Sequence, residues 1–147
     1  MDVLTVLESL FLLIIVGLLI MSVAPKLRPN SHRLAGAAEI LRTHIRYAQI
    51  HAQSCRKQLG LTSSDNIEYF MFHDAPSQKI PLPGGEKIYQ LKDSITISDF
   101  VLSFDDSGKP CSDPSGTIPL TKNLVITLQD GGESESVVVM ANSGFVT

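Results

Sequence analysis

The sequence predicts an α+β protein in which one long helix, apolar and then amphipathic, packs on a mostly antiparallel β-sheet. Three observations carry the prediction. A near-continuous apolar run occupies Leu10–Val23 without one ionisable side chain. Apolar residues then recur at alternating steps of four and three from Leu34 to Cys55, the spacing of one helix face. From residue 61 onward, short β-branched and aromatic runs alternate with Gly-, Pro- and Asp-rich turns. At 147 residues there is room for one head domain, expected over 30–147, behind an N-terminal segment over 1–29. A formal charge of -3 with 18% charged residues describes neither a nucleic-acid binder nor a disordered chain.

The N-terminal segment Leu4–Ala24 is long enough to cross a bilayer core, about 32 Å as a helix. Within it Glu8 is the only ionised side chain. A cleaved secretory signal requires a basic start, and Met1–Ser9 offers only Asp2 and Glu8. Ser22-Val23-Ala24 has the form of a signal-peptidase site, but Pro25 follows it. A plain membrane anchor leaves Glu8 to reach the interface or to cost at least about 2.5 kcal/mol in hydrocarbon. In the third reading Glu8 meets a cation supplied by another chain, because a buried carboxylate is tolerable only with a partner.

The residues Leu4-Thr5-Val6-Leu7-Glu8-Ser9-Leu10 resemble the start of mature type IV pilins, an apolar first residue followed four positions later by glutamate and then by a long apolar run. Gly17 and Pro25 fall where pilins commonly carry a helix-softening glycine and proline. The resemblance implies that Leu4 is the processed, methylated first residue. It also implies that Glu8 neutralises the N-terminal amine of a neighbouring subunit in a filament. Val3 stands where the prepilin peptidase pattern has glycine, and no basic leader precedes it, so the natural start is expected upstream or altered. Lys26, Arg28 and Arg33 follow the span with no Lys or Arg before it, which on charge alone puts the head in the cytoplasm. The resemblance implies instead a single-pass protein of the bacterial inner membrane with a periplasmic head, which an assembly platform then draws into a filament.

Helix signals resume after the Pro25–Pro29 interruption, with Asn30 or Ser31 as the cap, and predict an amphipathic helix over 31–58 that closes near Leu59-Gly60. Its apolar stripe is Leu34, Ala38, Leu41, Ile45, Ala48, Ala52 and Cys55. Arg33, Arg42, Arg46, Gln49, Gln53 and Arg56 lie on the other faces and predict a basic, wettable side. Such a side suits a solvated face, or one against filament neighbours, better than nucleic acid. His44, His51 and Cys55 have the look of a metal cluster but no fourth ligand, so packed or solvated histidines are preferred.

In the head, strands are expected at Ile67–Phe72, Lys87–Leu91, Ile95–Phe104, Leu124–Leu128 and Ser136–Ala141, with Phe145-Val146 after an Asn142-Ser143-Gly144 turn. Pro81-Leu82-Pro83-Gly84-Gly85 reads as a turn. Cys55 and Cys111 either pair, closing a loop whose loss costs about 2–5 kcal/mol, or stay free; their spacing does not decide. Asp105, Asp106 and Asp113 are candidate calcium ligands, although EF-hand spacing is absent and aspartates favour turns for their own bonding. Phe104-Asp105-Asp106-Ser107-Gly108-Lys109-Pro110 resembles the turn of the H-type minor pseudopilins of type II secretion and of the FimT/FimU-like minor pilins, as does the close on Gly144-Phe145-Val146.

No phosphate-binding glycine loop, nucleophile elbow or His-Glu-x-x-His motif is present, and the chain is not expected to be an enzyme or to need a cofactor. Its expected function is that of a structural subunit, a minor pilin or pseudopilin whose partners are other pilin-like subunits. The alternative is a membrane-anchored extracytoplasmic binding module, an adhesin or a DNA-uptake pilin. For DNA the C-terminal part is unsuited: Asp93, Asp99, Asp105, Asp106, Asp113, Asp130, Glu133 and Glu135 outnumber Lys109 and Lys122.

Overall fold

The structure, a computed structural model, describes residues 8–15, 29–92 and 94–147. Residues 8–15 form helix α1. Helix α2 runs Pro29–Cys55. Pro29 opens it where a missing N–H costs nothing, ahead of the start that Asn30 or Ser31 predicts. The predicted stripe is the buried one: Leu34 is nearly sealed, and Ala38, Leu41, Ile45, Ala48 and Ala52 have no exposed surface. The alanines let the helix axis approach the sheets closely, while each large aliphatic contributes about 1.5–3 kcal/mol by leaving water.

The helix ends earlier than its pattern predicts. Arg56 turns left-handed at φ 49°, and the Lys57 N–H donates to the Ala52 carbonyl at 3.2 Å. That is the closing bond of a Schellman turn, with arginine where glycine is usual. Cys55, the last member of the predicted stripe, is therefore exposed. Leu59-Gly60 does not close the helix but opens strand β1, Leu59–Ser63. Glycine is required there for packing: a Cβ on Gly60 would sit 2.8 Å from the Leu102 carbonyl oxygen and inside the Phe72 ring.

The remaining strands are β2 Glu68–His73, β3 Ala75–Ile80, β4 Tyr89–Gln90, β5 Thr96–Ile97, β6 Phe100–Phe104, β7 Pro110–Cys111, β8 Leu124–Asp130 and β9 Glu133–Val139. One antiparallel sheet has the order β3-β2-β1-β6-β7, with β4 paired to the far end of β2. The second is β5-β8-β9. The single strand expected over Ile95–Phe104 is divided between them. Ile97 pairs with Leu128 in the second sheet and Phe104 with Leu59 in the first, so the chain changes sheets at Ser98-Asp99. Strand β9 starts at Glu133, earlier than Ser136, because Gly131 and Gly132 at φ 56° and 92° make a two-residue hairpin that pairs Asp130 with Glu133. Val146 bridges back to Val139, so the C-terminal residues add a short outer strand to β9.

Where α2 crosses the first sheet, the buried His44 imidazole lies 2.8 Å (Nδ1) from the Tyr69 hydroxyl, and the Tyr89 ring meets its edge at 5.5 Å. Burial pulls the His44 pKa below its ordinary 6.5, with exposed Glu86 opposing, and pushes the Tyr69 phenol up. The neutral imidazole is thus the form that the fold holds. A histidine depressed in this way contributes stability in full above about pH 6.5, and that stability is lost as pH falls towards the folded-state pKa. Urea midpoints measured between about pH 7.5 and 5 should therefore fall on the acid side, and the His44→Gln variant should show a flatter acid limb.

Candidate functional site

Only part of the predicted assembly segment is described. Glu8 lies in α1, and Leu10, Phe11, Leu12, Leu13, Ile14 and Ile15 follow with their side chains exposed, Leu13 by 72%. Val3, Leu4, Gly17 and Pro25 lie outside the described residues. Among the described residues no helix is long and apolar enough to cross a membrane.

The face of α2 expected to be wettable is largely exposed, at Arg33, Arg46, Gln53 and Arg56, and from Arg42 to Gln53 it also forms a seam of bonds. Arg42 reaches Glu39 at 3.3 Å and Glu135 of β9 at 3.2 Å. Its guanidinium also makes a long bond to the Ser136 carbonyl, and that of Arg46 donates to the Val146 carbonyl at 3.1 Å. One turn on, the Gln49 amide donates to the carbonyls of Gly108 and Ser143, at 2.9 and 2.8 Å, and Gln53 donates to that of Ser107 at 3.2 Å. These carbonyls are exposed or half-buried, and α2 supplies them with donors at three- and four-residue intervals, in two turns far apart in sequence.

Those two turns are the motifs singled out in the sequence. In Phe104–Pro110 the Phe104 ring is fully buried, and Asp105 Oδ1 accepts from the Ser107 and Lys109 N–H groups at 2.9 and 2.8 Å. Gly108 takes φ 76°, and any Cβ there would strike the Gln53 side chain. In the second turn Gly144, at φ 69°, leaves no room for a Cβ between Gln49 and Phe104. The resemblance flagged the turns; the partners Gln49 and Gln53 were missed, because a glutamine on a helix face carries no sign of what it binds.

The aspartates are occupied by their own loops. Asp113 accepts from the N–H groups of Thr117 and Ile118 and from the Thr117 hydroxyl. Burial works against that carboxylate, but these bonds outweigh it and hold its pKa below the usual range. Asp106 receives the Ser107 hydroxyl. The calcium reading of Asp105, Asp106 and Asp113 gains nothing: among the described residues no three His, Cys, Asp or Glu side chains lie together as metal ligands do.

The cysteines do not bridge. Cys55 is an exposed thiol at the end of α2, 3.6 Å from His51 Nε2, whereas Cys111 is buried in β7 with its thiol turned to the Lys109 carbonyl. Burial pushes the Cys111 thiol up, and the Asp105 and Asp113 carboxylates add to it. His44, His51 and Cys55 are split as well: His44 packs inward, while His51 stacks on Tyr47 and shares a groove of about 660 Å³ with Cys55 and His73.

The seam makes a stability prediction. Gln49→Ala strips two carbonyls of their partner and should lower unfolding free energy by about 1–3 kcal/mol. Asp105→Ala should cost a similar amount, while exposed Ser54→Ala should change little, within about 0.5 kcal/mol. Denaturant melts of the three variants check it.

No protein-family model matches the sequence, and no curated protein sequence is similar to it. Solved structures do match the fold. A crystal structure of the type IV minor pilin FimU of Pseudomonas aeruginosa is similar over 80% of this chain and 89% of that one, at 15% identity and a TM-score of 0.59. A second crystal form of FimU gives 78%, 90%, 16% and 0.56. The helix α2 laid across antiparallel sheets, closed by the Phe104–Pro110 turn and the C-terminal strand, is a type IV pilin-like fold of the kind seen in the minor pilin FimU.

Proposed function

We propose that this chain is a structural subunit, a minor pilin or pseudopilin, that enters a filament through its N-terminal helix. One observation carries the reading: a pilin-like head sits behind a helical segment that contains Glu8 and presents an unbroken row of large apolar side chains, Leu10 to Ile15, to its surroundings. Such a row is unstable in water and must be covered by lipid or by like helices. In this reading residues 1–29 form the membrane and filament-core helix and residues 30–147 the head. The segment waits in the inner membrane with its head in the periplasm until an assembly platform extracts it. Neighbouring helices then replace lipid around Leu10–Val23. Glu8 meets the N-terminal amine of an adjacent subunit, and that pair sets the axial register, because an unpaired carboxylate in the apolar core costs several kcal/mol. Leu4 is the residue at which processing and methylation would supply that amine, and Gly17 and Pro25 give the helix its bends.

The head has the same purpose. The acids that sequence counting placed against nucleic acid are used locally, Asp105 and Asp113 in turns and Glu135 on Arg42. A binding module on a membrane anchor is the second reading, favoured by the groove beside His51 and Cys55.

Glu8→Gln separates the two. In a filament subunit it should leave the head folded, by circular dichroism, while recovery in sheared filaments drops at least about tenfold, as expected when a buried partner is lost. Normal incorporation of the variant would remove the register argument, and an unsubstituted chain found only in the membrane fraction, never in sheared filaments, would favour the anchored binding module.

A further inference from the structure

The groove beside the end of α2 is lined in part by a histidine with one nitrogen unbonded. Alternation along β2 puts Tyr69, Met71 and His73 on the face turned to α2, and His73 closes the strand. Its Nδ1 lies 2.8 Å from the Asp74 carboxylate, while its Nε2 is buried with no hydrogen-bond partner among the described residues. A carboxylate only accepts, so Asp74 keeps the proton on Nδ1 and leaves Nε2 of the neutral ring as a lone pair. Buried polar atoms are nearly always satisfied, and this one calls for a donor brought by water or by a ligand.

The surroundings of the imidazole define the ligand. The groove holds about 660 Å³, a volume typical of small-molecule sites. Leu59, Met71 and Leu82, which contribute to its lining, are almost fully buried. From α2 come Tyr47 and His51, stacked at 5.3 Å with their planes 11° apart, and the turn after β3 adds Pro81 and Pro83. Tyr47 is exposed, so the stacked pair offers a flat surface to a further ring. Among the described residues that line the groove none is acidic, in a chain whose 15 acids outnumber its 12 bases. Lys57 stands there instead, which disfavours a cation and suits a neutral or anionic guest.

We infer that this groove is a binding site for a small aromatic molecule, neutral or anionic, that carries a ring hydroxyl. The ring fills the apolar space and stacks with Tyr47 and His51. Its hydroxyl donates to His73 Nε2, the bond that the fold itself leaves unmade. Asp74 is a positioning residue, which fixes the imidazole and its tautomer. The site is independent of how the N-terminal helix is anchored or assembled.

The test uses the full-length chain in detergent, with 4-hydroxybenzoate and benzoate as probes that differ only in the hydroxyl. Cys55 is an exposed thiol on the groove, 3.6 Å from His51 Nε2, so its alkylation by iodoacetamide reports occupancy. Buried Cys111 is the reference. 4-Hydroxybenzoate should slow Cys55 alkylation saturably, with half-protection at a concentration about three- to tenfold below that of benzoate, the worth of one hydrogen bond. Tyr47→Ala, at an exposed side chain, should weaken both probes. Asp74→Asn keeps a residue that tolerates the φ of 57° but no longer holds the proton on Nδ1, and it should erase the difference between the probes. Glu8→Gln should leave protection unchanged, which keeps failure of filament entry distinct from failure of this site. No protection by either probe in the millimolar range, equal protection by both, or a hydroxyl preference that survives Asp74→Asn overturns the inference.

Discussion

Helix α2 has to satisfy two unlike surfaces at once, and the head is arranged around that constraint. Its inner stripe, from Leu34 to Ala52, seals the apolar core against both sheets. Its flank, from Arg42 to Gln53, supplies donors to carbonyls that the two sheets and their turns leave unpaired. The burial term is the larger. The polar flank makes the packing unique, since only one helix position places Gln49 between Gly108 and Ser143 while Arg46 meets Val146. A slide of α2 by one turn would keep apolar contacts of a sort and lose every one of these bonds, each worth about 0.5–1.5 kcal/mol net.

The same constraint explains where the sequence was legible. The alternating steps of the α2 stripe are a direct imprint of burial on one face, so the helix and its core residues could be read, as could the turn at Gly108. Three features were not legible, for separate reasons. Arg56 ended the helix without a glycine, so the pattern ran on towards Gly60. Gly60 looked like a stop signal but answers to the Phe72 ring, which arrives from another strand. Ser98-Asp99 interrupts the Ile95–Phe104 run at the point where its two halves part to different sheets, but a polar pair between two apolar stretches does not by itself tell a turn between sheets from the solvent side of one strand. In the candidate site the motif turns were visible because glycines and aspartates at fixed offsets have local causes. Their partners on α2 were not, because a hydrogen bond across more than fifty residues leaves no trace in the spacing.

A polymerising subunit has a particular difficulty with β-structure. Any open strand edge is a template for pairing with any other copy, in any register. In this head the C-terminal residues cover the β9 edge from Val138 to Met140, and Arg42 and Arg46, from the helix that carries the core, bond the Ser136 and Val146 carbonyls. The β3 edge of the first sheet carries Pro76, which has no N–H to donate, and Lys79, whose ammonium lies 4.1 Å over the Phe70 ring. What remains available for association is side-chain surface, whose shape and charge discriminate between partners in a way that a ladder of identical peptide bonds does not.

That division has a consequence for the N-terminal helix. Apolar side chains in lipid or in a bundle are nearly indifferent to axial position, because a helix of leucine and isoleucine slides against its neighbours with little change in contact. A single carboxylate is not indifferent, since it can be buried only where a cation meets it. In the proposed filament, Glu8 ahead of the row from Leu10 to Ile15 would therefore give an otherwise featureless surface one position that matters.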